Sequence, residues 1–280
     1  MVTRLALIGF GEAATAFAPG LSAAMTAYDI EVDRPRLPNV AMAASNGEAL
    51  AGADAVLSLV TADQSLAAAE AAAPHIAAGA IWFDMNSVAP DTKRAAAVAI
   101  EAVGGRYVDV AVMAPVHPGR TGVPLLLSGP HAEAGAELLR SIGFTSVRVV
   151  AGDVGRASSI KMIRSVMVKG LEALTAECFL AADQAGVTDQ VAASLNASWP
   201  GTDWVARADY NLDRMMVHGL RRAAEMEEVV KTLDALGTGS AMTRGTVVRQ
   251  REIGSLGATP PEGLAAKLEL LNPDRKAEAA

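Results

Sequence analysis

Leu5-Ala6-Leu7-Ile8-Gly9-Phe10-Gly11-Glu12-Ala13-Ala14 reads as a short apolar strand, a tight glycine turn and a helix start. Gly9 permits the turn, Gly11 leaves room for close approach to backbone, and Ala14 is small enough for strand–helix contact. Backbone N–H groups across Gly9, Phe10, Gly11, Glu12 and Ala13 would then meet a pyrophosphate at the positive end of the helix. The turn predicts dinucleotide binding. Asp29, twenty residues after Gly9, closes the next apolar run, where a carboxylate accepts hydrogen bonds from ribose hydroxyls and repels a 2′-phosphate. That favours NAD(H), while Asp33 competes for the role and neighbouring Arg34 leaves NADP(H) open. Val60, Thr61, Asn86 and Ser87 follow later strands and are expected to line the nicotinamide side.

Outward from this turn, apolar runs predict strands at 4–9, 25–29, 55–59, 81–85, 105–110, 125–128 and 146–150. Helical patterns lie between several of them, at 12–23, 47–51, 64–73, 92–103 and 132–142. Such alternation with short turns means βαβ units, hence a mainly parallel sheet covered on both faces. The segment 125–128 follows Pro124 directly and is expected to be an outer or antiparallel strand. From Gly152 and Asp153 a helical pattern runs to about Ala185 and stops at Gly186. Unbroken, it would be about 45 Å long, more than a sheet-covering helix needs. Helices at 188–198, 203–209, 211–235 and 242–253 follow, then a short one after Pro261 and a charged tail from Asn272 expected to fray. The expected architecture is an α/β Rossmann-type domain over 1–151 and an all-α domain over 152–280, joined by the long inter-domain helix.

Composition narrows the function classes. Apolar residues make up 51% of the 280 and charged residues 20%, which suits close-packed helices and a sizeable core. No apolar run approaches the roughly 20 residues of a membrane span, and the apolar stretch before Gly9 is too short for a signal peptide. A net charge of -7 argues against a nucleic-acid partner. The single cysteine, Cys178, falls in a helical pattern and reads as a small buried hydrophobe in a reducing cytoplasm. The histidines and Cys178 show no metal-ligand spacing, and no nucleophile-elbow sequence is present.

The order of motifs resembles the β-hydroxyacid dehydrogenase superfamily, which includes 6-phosphogluconate and 3-hydroxyisobutyrate dehydrogenases. The likeness rests on the glycine turn, on Asp84-Met85-Asn86-Ser87-Val88-Ala89-Pro90, on Asp109–Val112 with the later stretch 122–130, and on Lys161. It implies hydride transfer between the nicotinamide and a hydroxyl-bearing carbon of a small 3-hydroxyacid-like molecule, with Lys161 as general acid and base. Ser165 stands where the family carries asparagine. The family's D-A-P-V-S-G-G loop is here Asp109-Val110-Ala111-Val112-Met113-Ala114-Pro115, so Met113 and Ala114 replace residues that approach a substrate carboxylate. Pro115 has no N–H to offer.

Other substrate candidates are His117 and Arg120 on the following proline-rich loop. On the long helix, Lys161, Ser165, Val168 and Glu172 share one stripe with Lys169 at its border, which suggests a lined cleft. His218, Arg221 and Arg222 lie on a later helix, where Arg221 and Glu225 also read as a surface pair. The expected partners are a small-molecule substrate and a second copy of the chain in a homodimer, with no nucleic acid and no membrane. A non-catalytic dinucleotide sensor and an imine-reductase-like enzyme are the competing readings.

Overall fold

The structure is a computed structural model that describes residues 3–31 and 33–273. Among the described residues, eight strands form one sheet: β1 (Arg4–Ile8), β2 (Ala24–Tyr28), β3 (Val40–Met42), β4 (Ala55–Ser58), β5 (Ile81–Asp84), β6 (Arg106–Val112), β7 (Leu125–Ser128) and β8 (Val147–Val149). Their order is β3-β2-β1-β4-β5-β6-β7-β8, with all pairings parallel except β6 with β7. Leu5, Leu7, Leu57 and Phe83 pack into one apolar layer and Ala6, Ile8, Val56 and Trp82 into the other. Burial on both faces is why these strands read as continuous apolar runs without alternation. The order reverses direction between β1 and β4, which opens a crevice at the carboxyl ends of those strands.

Helices α1 (Glu12–Phe17), α2 (Asn46–Leu50), α3 (Ser65–Ala72), α4 (Pro90–Glu101) and α5 (Ala132–Ser141) connect the strands. The long helix α6 (Arg156–Gln184) follows, then α7 (Thr188–Ser198), α8 (Trp204–Ala235), α9 (Ala241–Ser255) and α10 (Leu264–Leu271). Packing divides the chain into two compact units, Met1–Ile163 and Arg164–Ala280. The division falls inside α6 and not at residue 151, where strand character ends. The reason is local: Ala157 is fully buried with Ala111 and Leu126, so the first turns of α6 belong to the sheet unit.

Several expected boundaries move for identifiable reasons. The helix expected over 12–23 ends at Phe17, and a 3-10 turn over Ala18–Gly20 carries Pro19, which cannot donate to a continuing helix. β3 was not anticipated, because three residues carry no periodicity to detect. β7 is antiparallel as expected but not outermost, since β8 pairs beyond it. The segments 203–209 and 211–235 form one helix, whose start is capped by Asp203 accepting from the Val205 and Ala206 N–H groups at 3.0 Å. Asn272, expected to begin the fray, donates to the Leu180 carbonyl and to Asp183. Residues 274–280 of that tail lie outside the described residues.

Within the second unit, α8 and α9 meet through two glycines. A Cβ on Gly219 would lie 2.4 Å from the Gln250 carbonyl, and one on Gly254 would lie 2.5 Å from the Leu220 nitrogen. The same unit draws in Glu172 and Lys169 from the polar stripe expected to line a cleft. Glu172 is buried and pairs with Arg222 and Gln250, and Lys169 pairs with Glu225 at 2.7 Å. Glu225 also takes Arg221, so Arg222 and Glu172 are interior structure and the Arg221–Glu225 pair sits at its edge. We expect Gly254→Val to destabilise the protein by at least about 2 kcal/mol in urea unfolding, since backbone cannot yield as a side chain would.

Candidate dinucleotide and proton-transfer site

The glycine turn has the geometry its sequence demands. Gly9 has φ +90°, its N–H donates to the Tyr28 carbonyl at 2.9 Å, and a Cβ there would stand 2.6 Å from the Leu59 carbonyl oxygen. Val60 backs the same turn, and exposed Thr61 starts the next short turn. At Gly11 the reverse holds: an added Cβ would meet no atom within 4 Å. One glycine is thus required by the protein's own backbone, and the other faces open space that a ligand can occupy. Phe10 is fully buried and anchors the turn in the apolar core with Ala14, while Ala13 packs at its margin. Glu12 supplies the first residue of α1.

Asp29 lies just past β2, beside this turn. Its Oδ2 accepts from the Phe10 N–H at 2.7 Å and pairs with Arg34 Nε at 3.1 Å, and its Oδ1 accepts from the Glu31 N–H. The carboxylate therefore holds the turn closed, and Arg34 shares it. The sequence sets Asp29 against Asp33 for the ribose, with Arg34 leaving NADP(H) open, and the fold brings Asp29 and Arg34 into one pair. That pairing depends on how the chain bends after residue 29, which no local pattern reveals.

Beyond β5 the chain forms a densely bonded knot. Asp84 is fully buried; its Oδ1 accepts from the Asn86 N–H and from Lys93 Nζ at 2.9 Å, and its Oδ2 from the Tyr107 hydroxyl at 2.6 Å. Burial, then the charge of Asp84, pushes the Tyr107 phenol well above its usual range, so it remains a donor. Asn86 is buried with its amide nitrogen directed at the Ser58 and Ser65 hydroxyls, while its Oδ1 is buried with no hydrogen bond. The next residue, Ser87, accepts from Lys161 Nζ at 2.5 Å. This places the lysine of α6 at the carboxyl end of β5, two strands along the sheet from β1, which leads into the glycine turn.

Asp109 on β6 fixes where α6 begins. Its Oδ2 accepts from the Ser128 hydroxyl, the Gly155 and Ser158 N–H groups and the Ser158 hydroxyl, all at 3.0–3.1 Å. Ser128 in turn accepts from the Ala157 N–H at 3.0 Å. A carboxylate and a hydroxyl from neighbouring strands thus satisfy donors at the first turn of α6, one turn before Lys161. Sequence reading had singled out neither Asp109 as a cap nor Lys93; a lysine in an alanine-rich helix reads as solvent-facing until its neighbours are known.

Among the substrate candidates, Met113 is half-buried and packs with Ala111, Leu126, Ala157 and Ile160. Its N–H donates to the Pro124 carbonyl at 2.9 Å, so neither Met113 nor Pro115 presents a free N–H. Met113, Leu126, Arg148 and Ile160 line an open pocket of about 400 Å³. Ala114 is half-buried against the core, and His117 and Arg120 are exposed on the loop that follows. Ser165 lies on the same helix as Lys161 but in the second unit, where it is buried. Among the described residues there is no group of His, Cys, Asp and Glu able to hold a metal, and no helix is long and apolar enough to cross a membrane.

Residues 17–150 match the NAD binding domain of 6-phosphogluconate dehydrogenase, and residues 182–253 match a domain of unknown function, DUF1932. A conserved hypothetical protein from Sinorhizobium meliloti is 38% identical, with 98% of this chain and 97% of that one covered, at a TM-score of 0.76. A conserved protein described as structurally similar to 3-hydroxyacid dehydrogenases is 28% identical over 91% of this chain and 99% of its own, at a TM-score of 0.67. The Mycobacterium tuberculosis 3-hydroxyisobutyrate dehydrogenase shares the fold, with a TM-score of 0.74 at 15% identity, covering 97% and 99% of the two chains. The protein is a nicotinamide-dinucleotide-binding dehydrogenase or reductase in type. It belongs to the β-hydroxyacid dehydrogenase superfamily.

Because Gly9 combines positive φ with contact to backbone, Gly9→Ala should lose at least about 2 kcal/mol of stability. Urea unfolding of the variant, followed by circular dichroism, checks this.

Proposed function

We propose that the protein catalyses hydride transfer between NAD(H) and the hydroxyl-bearing carbon of a small 3-hydroxyacid-like substrate, with Lys161 moving the hydroxyl proton. The observation that carries this reading is the Lys161–Ser87 contact at the carboxyl end of β5. The fit of the dinucleotide rests on the open space over Gly11 and on the Gly9 turn, which no larger residue could adopt. Gly9, Phe10, Gly11, Glu12 and Ala13 would hold the pyrophosphate, Asp29 the adenosine ribose, and Val60, Thr61 and Asn86 the nicotinamide end. When bound, the nicotinamide supplies the hydride acceptor or donor.

The protein's part is the proton. An alcohol gives up hydride readily only as its O–H is released, so a base must lie within hydrogen-bond reach of that oxygen. Lys161 Nζ is anchored by Ser87 and is half-buried, which orients its lone pair once deprotonated and limits competing water. In the reverse direction the ammonium protonates the carbonyl oxygen. Met113, Ala114, His117 and Arg120 complete the substrate contacts in this reading. Because Met113 and Pro115 lack free N–H groups, carboxylate recognition falls to side chains, with Arg120 the cation on the loop. Exposed Met167 and Leu174 on α6 and Val217 on α8 support a homodimer.

Lys161→Ala should lower turnover by about two to four orders of magnitude while NADH affinity stays within about threefold. Steady-state rates over a panel of short 3-hydroxyacids, with NADH fluorescence titration, measure both. Undiminished turnover would remove Lys161 from the chemistry.

The buried Asp29 carboxylate supports NAD(H) over NADP(H), so NADH should bind about tenfold more tightly than NADPH. Tighter NADPH binding would assign Arg34 to a 2′-phosphate instead.

A further inference from the structure

Lys93 is unusual for a lysine: its side chain is wholly buried between two wholly buried carboxylates. Nζ donates to the Asp84 carbonyl at 2.5 Å and to Asp84 Oδ1 at 2.9 Å, and it lies 3.5 Å from the Val110 carbonyl and 3.6 Å from Asp109 Oδ1. Asp109 Oδ1 has no hydrogen bond, so this ammonium is the cation facing that oxygen. A buried cluster of this kind gains little stability over apolar packing, because desolvating three charges offsets their attraction. What it does impose is geometry.

Each carboxylate governs one half of the proton-transfer pair. Asp84 Oδ1, held by Lys93, accepts from the Asn86 N–H and so sets the path of the chain into Ser87. Asp109 Oδ2 collects the Gly155 and Ser158 N–H groups and so sets the start and rotation of α6, which carries Lys161 one turn later. Without the cation, two anions on adjacent strands β5 and β6 would repel across the register pair Asp84↔Asp109. The geometry points to Lys93 as a positioning residue that keeps Ser87 and Lys161 in register by clamping Asp84 and Asp109 together. It never touches the reacting atoms; it acts through the two carboxylates.

This inference rests on the reading of Lys161 as the proton carrier, but its test does not need turnover. In the protein without added nucleotide, the rate at which trinitrobenzenesulfonate modifies Lys161 is read by peptide mass spectrometry. Lys231, exposed on α8 in the other unit, is the internal reference. In Lys93→Met, Lys161 should react about tenfold faster, the scale of one lost charge-assisted hydrogen bond, with Lys231 unchanged. Ser87→Ala removes this acceptor directly and sets the scale expected for losing the Ser87 contact. Should the lone carboxylates prevent Lys93→Met from folding, Asp84→Asn with Lys93→Met removes one of them and should show the same acceleration. A Lys161 rate within twofold of the original protein, or slower, in either folded variant overturns the positioning role. So does failure of both variants to fold, which would make the cluster purely structural. Turnover of Lys161→Ala decides the catalytic reading separately.

Discussion

The Asp109 carboxylate gathers the chain at one point. It sits with no solvent exposure at the middle of β6, faces the Lys93 ammonium through one oxygen, and receives four donors through the other. Two of those donors are backbone N–H groups where the chain after β8 turns into α6. An acid buried this deeply persists only where a cation and donors offset its charge, so the start of α6 and strands β6 and β7 must arrive together. The placement of Lys161 follows from that closure, since it lies one turn into the helix. Without the carboxylate, the Gly155 and Ser158 N–H groups lose the acceptor that ties the start of α6 to β6.

A second constraint acts at the other side of the crevice. Gly9 cannot carry a side chain because the Leu59 carbonyl already occupies the space, and Asp29 ties the Phe10 N–H from the neighbouring strand. The turn is therefore formed by contacts internal to the sheet unit and stands ready without a ligand. Gly11 differs, since its open side is directed away from protein atoms. Preorganised backbone of this kind lets a phosphate be bound without further ordering. The two ends of the crevice thus share a logic: polar side chains on strand ends fix backbone, and the fixed backbone presents the site.

Much of this was legible in the sequence. The glycine turn, the strand–helix alternation, the antiparallel β7 and the long helix all rest on local patterns, and the structure contains each of them. What escaped were features whose cause is a distant neighbour. Lys93 sits on a helix among alanines and threonine, where a lysine ordinarily reaches solvent, and only the strand ends beneath it explain its burial. Glu172 and Lys169 share a helical stripe with Lys161, yet Arg222 and Glu225 from α8 draw them into the helical unit. β3 was too short to show a period, and the two segments expected on either side of Tyr210 form the single helix α8.

By itself the sequence determined the class of fold and the kind of cofactor site, because hydrophobic period, glycine conformation and turn chemistry are encoded over a few residues. It also marked Lys161 through its place in a motif order. Only the tertiary structure decided that Lys161 meets Ser87, that Asp29 and Arg34 form one pair, and that Lys93 lies buried between Asp84 and Asp109. Those outcomes depend on strands far apart in the chain becoming neighbours in the sheet. The energy of a buried charge is set by whichever groups the fold brings within a few ångströms.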